Sequence, residues 1–167
     1  MRAGGTRGRP HHESIRVPCS VPPGEQSSEI VDDSEAIRAL KARYFRTMDT
    51  KDWDGMRAVF ADDVVMDTTE VGGSRIEGAD AFMGFLSEML ADAVTVHHGH
   101  MPEIDVTSPT TATGIWSLHD IVIFPNGMRL DGDGHYHETY AKVDGEWLIT
   151  TSTLTRLHQD LTTPEAG

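Results

Sequence analysis

The 167-residue chain carries 14 Lys and Arg against 27 Asp and Glu, a net charge of −13, which leaves no basic field for gripping nucleic acid or an anionic membrane surface. Its length suits one domain with a real core and is short for two. The single cysteine, Cys19, excludes an intrachain disulfide or a Cys-based zinc site, and no apolar run could span a bilayer or form a signal-peptide core, so a soluble protein of the reducing cytoplasm is expected.

From Met1 to about residue 32 the chain mixes Gly, Pro, Ser, His and four arginines (Arg2, Arg7, Arg9, Arg16) without periodicity. Such a segment cannot bury enough apolar surface to offset the entropy of ordering it, and reads as a disordered arm. Order is expected over 33–158, followed by a short tail over 159–167. Ser34 can cap a first helix in which Ile37, Leu40, Tyr44 and Met48 recur at helical spacing, with Phe45 beside them, as far as Asp49. Trp53, Met56, Val59 and Phe60 suggest a second, short helix, and Val64–Met66 a short strand. After Gly72-Gly73, the Gly78-Ala79-Asp80 run opens a third helix with a stripe of Phe82, Phe85, Leu86, Met89 and Leu90.

From Val94 the period changes to two, with strands expected over about 94–106, 111–124, 128–143 and 147–157. Pro125-Asn126-Gly127 and Asp144-Gly145 are hairpin signals, so these strands should form an antiparallel meander. Helices first and a long sheet afterwards make an α+β plan with helices on one sheet face. Along 111–124, Trp116, Leu118, Asp120, Val122 and Phe124 share one face, while Ile115, Ser117, His119, Ile121 and Ile123 share the other. Both faces are largely apolar, so one should meet the helices and the other a second copy, giving a homodimer or higher homo-oligomer.

The helix Ala36–Tyr44 running into Asp49 and Trp53, then Phe60-Ala61-Asp62-Asp63-Val64, the Gly78-Ala79-Asp80 helix start, His97 in its strand, and Asp144-Gly145-Glu146-Trp147 follow one another along the chain. In their order and spacing the chain resembles the SnoaL-like branch of the nuclear transport factor 2-like superfamily. The resemblance covers roughly residues 33–158 and implies a cone-shaped α+β barrel, usually dimeric, with three N-terminal helices on a curved sheet around a deep pocket. The superfamily holds dehydratases, isomerases, cyclases, dehydrochlorinases and non-catalytic binders, so the site must decide the chemistry. Scytalone dehydratase, bile-acid dehydratase and hexachlorocyclohexane dehydrochlorinase use an inward-facing His, partnered in the last two by an Asp at the end of the first helix. Asp49 and His97 fall where that pair should be, and Tyr44 and Asp120 resemble further site residues of the bile-acid enzyme.

The run Val96-His97-His98-Gly99-His100-Met101-Pro102 is where proton chemistry near neutral pH would reside, although His-rich tracts also bind metals or sit solvated at strand edges. Strict alternation puts His98 and His100 on one face and His97 on the other. A bulge at Gly99 or Pro102 would spoil that phase, and His97 is favoured by family position. Asp49, beside the core residues Phe45 and Met48, needs a partner unless it is an ordinary helix-end carboxylate in water. Held on one ring nitrogen, it would fix the tautomer of His97 and stabilise the imidazolium formed when the ring takes a proton.

An inward Asp120 among apolar neighbours would hold its proton and donate it to a leaving group; the alternative is an Asp bonded to Tyr or Arg for structure. Tyr44 and Tyr136 can donate to a substrate oxygen or simply pack. Arg156 could bind substrate or form a structural ion pair, and Trp53, Trp116, His98 and His100 complete the expected binding set. No metal site and no cofactor is expected, since neither a helical His-Glu-x-x-His pattern nor a Gly-rich loop before a helix occurs.

These residues lead to a cofactor-independent lyase or isomerase acting by proton abstraction on a small hydrophobic molecule of steroid, polyketide or terpenoid type. The alternative is a non-catalytic small-ligand or partner binder of the same fold.

Overall fold

The computed structural model describes residues 32–164, so all but the last residue of the expected arm, and residues 165–167, lie outside the described residues. Helix α1 runs Asp33–Thr50 and is capped by Asp32 instead of Ser34: the Asp32 carboxylate accepts from the Ser34 N–H at 3.3 Å. An acceptor at this earlier position reaches the first free N–H groups of the helix, and Ser34 becomes part of the first turn. Asp33 anchors the same end to the sheet, accepting from Lys142 Nζ at 2.7 Å and Trp147 Nε1 at 2.8 Å. Lys51, in the left-handed conformation, closes the helix.

Helix α2 is shorter than expected, Trp53–Arg57, and Phe60 opens strand β1 (Phe60–Asp67) instead of ending a helix. Phe60, Val64 and Met66 all turn into the core, but Phe60 and Val65 lie on either side of a register irregularity against the last strand. That shift hides the two-residue period from a reading of the sequence. A 3-10 turn (Thr69–Val71), strand β2 (Arg75–Glu77) and helix α3 (Ala79–Leu90) follow.

The remaining strands are β3 (Val94–Ser108), β4 (Thr111–Ile123), β5 (Arg129–Val143) and β6 (Glu146–Thr162). They form the expected antiparallel meander, with Gly127 at φ 82° and Asp144-Gly145 at φ 51° and 88° supplying the turns. Strand β6 runs to Thr162, past the expected end near 157, because Leu161 and Thr162 still pair with Leu130 and Arg129. The sheet order is β2-β1-β6-β5-β4-β3, with β1 parallel to β6 and every other pair antiparallel. The sheet is therefore curved but unclosed, its edges β2 and β3 unpaired with each other, and the three helices pack on it.

Helix α1 crosses β3 and β6, while α3 leans on β1 and β2. The core lies between helices and sheet: Ile37, Leu40, Tyr44 and Met48 from α1 meet Phe60, Val64, Trp116, Leu118 and Ile149 from the sheet. Each large apolar side chain so buried contributes about 1.5–3 kcal/mol. No helix among the described residues is long and apolar enough to cross a membrane.

Candidate active site

A cavity of about 310 Å³ opens between α1, α3 and the sheet. Its walls are apolar, drawn from Met48, Met66, Phe82, Leu86, Val122 and Leu154 among others, and Phe85 and Met89 stand half-exposed beside it. Polar side chains reach it from Tyr44 on α1, His97 on β3, Asp120 on β4, Tyr136 on β5, and Arg156 and Gln159 on β6.

Alternation places His97. Thr95 and His97 are buried while Val94, Val96, His98 and His100 are exposed, so the two-residue phase holds through the histidine run. The irregularity expected near Gly99 or Pro102 lies between His100 and Glu103, with Met101 at φ 37°, too late to disturb the phase. The ring of His97 places Nδ1 at 2.7 Å from Asp49 Oδ1. Asp49 Oδ2 accepts the backbone N–H of His97 at 2.9 Å, and Asp49 Oδ1 also accepts from Thr95 Oγ1 at 2.9 Å. Lys51 Nζ holds Thr95 Oγ1 in turn at 2.8 Å.

Burial alone would raise the pKa of Asp49, but the hydrogen bonds from the His97 ring and backbone, the attraction to the imidazole and the Thr95 hydroxyl together hold it below its ordinary 3.8. Asp49 itself does not line the cavity; it stands behind the imidazole and leaves Nε2 as the nitrogen free for a ligand. Phe45 stacks on the imidazole at 6.2 Å and 15°, fixing the plane of the ring.

Asp120 is the direct cross-strand neighbour of His97 and faces the interior, 5% exposed in its side chain. Of the two readings open for it, an acid among apolar neighbours or an Asp bonded to Tyr or Arg, the geometry matches the second. Arg156 clamps it with both terminal nitrogens, Nη1 to Oδ1 and Nη2 to Oδ2 at 2.8 Å, so both carboxylate oxygens are engaged by the guanidinium. Gly132, opposite Asp120 on β5, makes the clamp possible, since a Cβ there would stand 2.5 Å from Arg156 Nη1 and 2.8 Å from Asp120 Oδ1. Arg156 thus belongs to an ion pair at the cavity, with its Nε buried and unpartnered among the described residues.

Tyr44 and Tyr136 lie side by side, ring centroids 5.9 Å apart at 74°. Burial first, then the neighbouring phenol and the carboxylate of Glu138, push Tyr44 well above the usual phenol range. Burial and the charge of Asp120 do the same for Tyr136. Both are therefore protonated at any physiological pH, and a side-chain hydrogen bond from Tyr44 to Tyr136 links the two hydroxyls.

Four expected site residues are elsewhere. His98 and His100 lie on the outer face, where His98 stacks with His119 at 6.2 Å, because the unbroken alternation turns them away from the helices. Trp53 packs against the core beside Lys51 and does not line the cavity. Trp116 does face inward, but it is buried one layer deeper, its Nε1–H given to Tyr140 Oη at 2.8 Å.

Two buried residues escape a reading of the sequence. Lys41 and Glu138, both with fully buried side chains, pair at 2.5 Å beneath Tyr44 and Tyr136. A signal is present: Lys41 falls between Ile37 and Tyr44 on the buried helix stripe, and Glu138 shares the inward phase of β5 with Tyr136 and Tyr140. Residue type hides it, since a lone Lys or Glu in a pattern is far more often at the surface. Among the described residues no group of three or more His, Cys, Asp or Glu side chains is arranged to hold a metal ion.

The chain is similar to known proteins over most of its length. A curated relative, a probable cyclase from Gibberella zeae, is 24% identical over 137 residues, covering 75% of this chain and 91% of its own length. Among solved structures, a candidate aromatic ring hydroxylase from Novosphingobium aromaticivorans superimposes with TM-score 0.73 at 22% identity, covering 79% of this chain and 93% of that one. A candidate scytalone dehydratase from the same organism gives TM-score 0.71 at 22% identity, over 81% and 89%. Likeness at these identities shows a shared fold. The model of the SnoaL-like domain matches residues 29–153, three-quarters of the chain, and the protein belongs to the SnoaL-like family.

Proposed function

We propose that this protein is a cofactor-independent lyase or isomerase that takes a proton from a carbon next to a carbonyl or double bond, then expels a leaving group or shifts the double bond. The observation that carries the reading is the Asp49–His97 hydrogen bond, which presents Nε2 of a ring fixed in plane and tautomer to an apolar cavity. A candidate scytalone dehydratase, a probable cyclase and a hexachlorocyclohexane dehydrochlorinase among the chains it resembles are consistent with that class.

In this scheme Nε2 accepts the proton, the C–H electron pair becomes the new double bond, and negative charge gathers on the substrate oxygen. Tyr44 and Tyr136 donate to that oxygen among apolar walls, where such bonds count for more than in open water. When water is lost, the proton gained by His97 leaves with the departing hydroxide, so no second acid is required. Asp49 orients the ring and balances the transient imidazolium. The cavity is at the small end of the roughly 300–1,000 Å³ of ligand pockets and favours a compact, uncharged bicyclic or tricyclic compound.

The test is a panel of such hydroxyketones in heavy water, scored for deuterium uptake beside the carbonyl and for loss of water. His97→Ala should abolish both while leaving binding, read by thermal shift, within about three-fold. Compounds that bind without exchange or elimination in the unmodified protein would instead make it a binder.

A further inference from the structure

A lysine with no solvent exposure stands under the two phenols, and its chemistry is not that of a fold stabiliser. Lys41 Nζ gives one hydrogen bond, to Glu138 Oε1 at 2.5 Å, and lies 3.8 Å from the ring centroid of Tyr136, 3.9 Å from that of Tyr44 and 4.9 Å from that of Phe45. Its other N–H groups therefore meet aromatic faces. Glu138 is saturated on the far side: Oε1 also accepts from Ser152 Oγ at 3.1 Å, and Oε2 accepts from Tyr140 Oη at 2.6 Å, which itself receives the Trp116 N–H. Burial lowers the pKa of Lys41, and the charge and hydrogen bond of Glu138 oppose that shift.

A buried ion pair commonly gains nothing over well-packed apolar residues of the same volume, so stability does not account for this one. Its orientation does. The pair is a dipole whose positive end touches both rings, and a cation on the face of a phenol draws electron density from the ring and makes its O–H a stronger donor. Glu138 acts oppositely on both phenols, but it is the ammonium that lies over their ring faces.

We infer that Lys41 is a positioning residue that acts through the ring faces of Tyr44 and Tyr136, holding the two phenols together and strengthening their hydroxyls as donors to negative charge on a ligand oxygen. It does not line the cavity and touches no substrate. Its purpose rests on the proton-abstraction reading above, which puts an oxyanion there. Its test needs no turnover, so failure of one and failure of the other are separate results.

The test compares two probes of equal size: 4-nitrophenol, studied at a pH where it is ionised, and 4-nitrotoluene, which lacks the oxygen. The variant is Lys41→Met/Glu138→Gln, which removes both charges at once; Lys41→Gln/Glu138→Gln replaces it if circular dichroism shows the first misfolded. The unmodified protein should prefer the phenolate and shift its absorption band to the blue, as strong donors on the oxygen do. The double variant should lose about ten-fold in phenolate affinity, equal to about 1.4 kcal/mol, and part of the band shift, with nitrotoluene unchanged within about two-fold. Placed in Tyr44→Phe/Tyr136→Phe, the same two substitutions should change neither probe further. Equal losses for both probes, no loss for either, an undiminished loss in the Phe background, or an unmodified protein that does not distinguish the probes would each overturn the inference.

Discussion

Replacing Asp49 by asparagine tests the central geometry, because one fixed donor decides how the new amide must sit. The backbone N–H of His97 can only donate, and it faces the Oδ2 position at 2.9 Å. The amide oxygen is therefore drawn there, and the amide NH₂ takes the Oδ1 position, 2.7 Å from His97 Nδ1 and 2.9 Å from Thr95 Oγ1. The hydroxyl can accept, but Nδ1 can accept only if it gives up its proton, which must move to Nε2. The nitrogen that serves as base then becomes an N–H donor aimed at the substrate. An equivalent tautomer error in a carboxylate–histidine pair costs on the order of 10⁴-fold in rate, and a loss of about 10³- to 10⁴-fold is expected here. Hydrogen bonds to a charged acceptor become neutral ones, so stability should fall by only about 2 kcal/mol for this partly exposed group. Nitrogen NMR of the His97 ring should show the proton move from Nδ1 to Nε2, alongside deuterium-exchange kinetics. A switched tautomer with activity within ten-fold of the unmodified protein would remove His97 as the base.

Three other outcomes are expected. Asp120→Asn should lower stability by about 3 kcal/mol in urea unfolding, because it strands the guanidinium of Arg156, and should lower the rate per folded molecule by less than ten-fold. A loss of rate of about 10²-fold at unchanged stability would make Asp120 a proton donor after all. Gly99→Ala should cost about 1–3 kcal/mol and slow catalysis, since the new Cβ would stand 2.5 Å from Phe45 Cε2 and push that ring off the imidazole; unchanged kinetics would dismiss the stacking as a constraint. Because Asp49 is depressed in the folded state, its contribution is complete above its unfolded value near 3.8 and is lost as pH falls through the lower folded value. The stability difference between the unmodified protein and Asp49→Asn should thus be flat above about pH 5 and shrink below about pH 4; a difference that grows on acidification contradicts the hydrogen-bond assignment.

Where one period governs an element, the sequence is legible. The face of β4 carrying Trp116, Leu118, Asp120 and Val122 is the inward one, and the α1 stripe through Ile37, Tyr44 and Met48 is the buried one. Legibility ends where the governing contact is distant. Phe60 looks helical after Val59 and joins a strand because β6 is there to pair with it. The bulge that would have carried His98 and His100 into the pocket exists but lies after them, and nothing local fixes on which side of a histidine run the extra residue falls. The inward phase of Asp120 is readable, whereas its clamp by Arg156, 36 residues on, depends on Gly132 leaving a space that no pattern advertises.

Three ion-paired or hydrogen-bonded systems surround the cavity, and none leaves an uncompensated charge facing it. Asp49 is spent on three N–H and O–H donors, Asp120 on Arg156, and Lys41 on Glu138. A substrate whose charge lies away from the two phenols would have to shed its hydration without an unpaired counter-ion to receive it, so the site discriminates against carboxylates and ammonium groups placed there, despite its many ionisable residues. A neutral substrate that becomes an anion only on losing a proton meets the opposite situation. Its charge appears next to two phenol donors and a new imidazolium that are already in place to receive it. The pairing that makes the cavity indifferent to the resting molecule is what leaves it responsive to the reacting one.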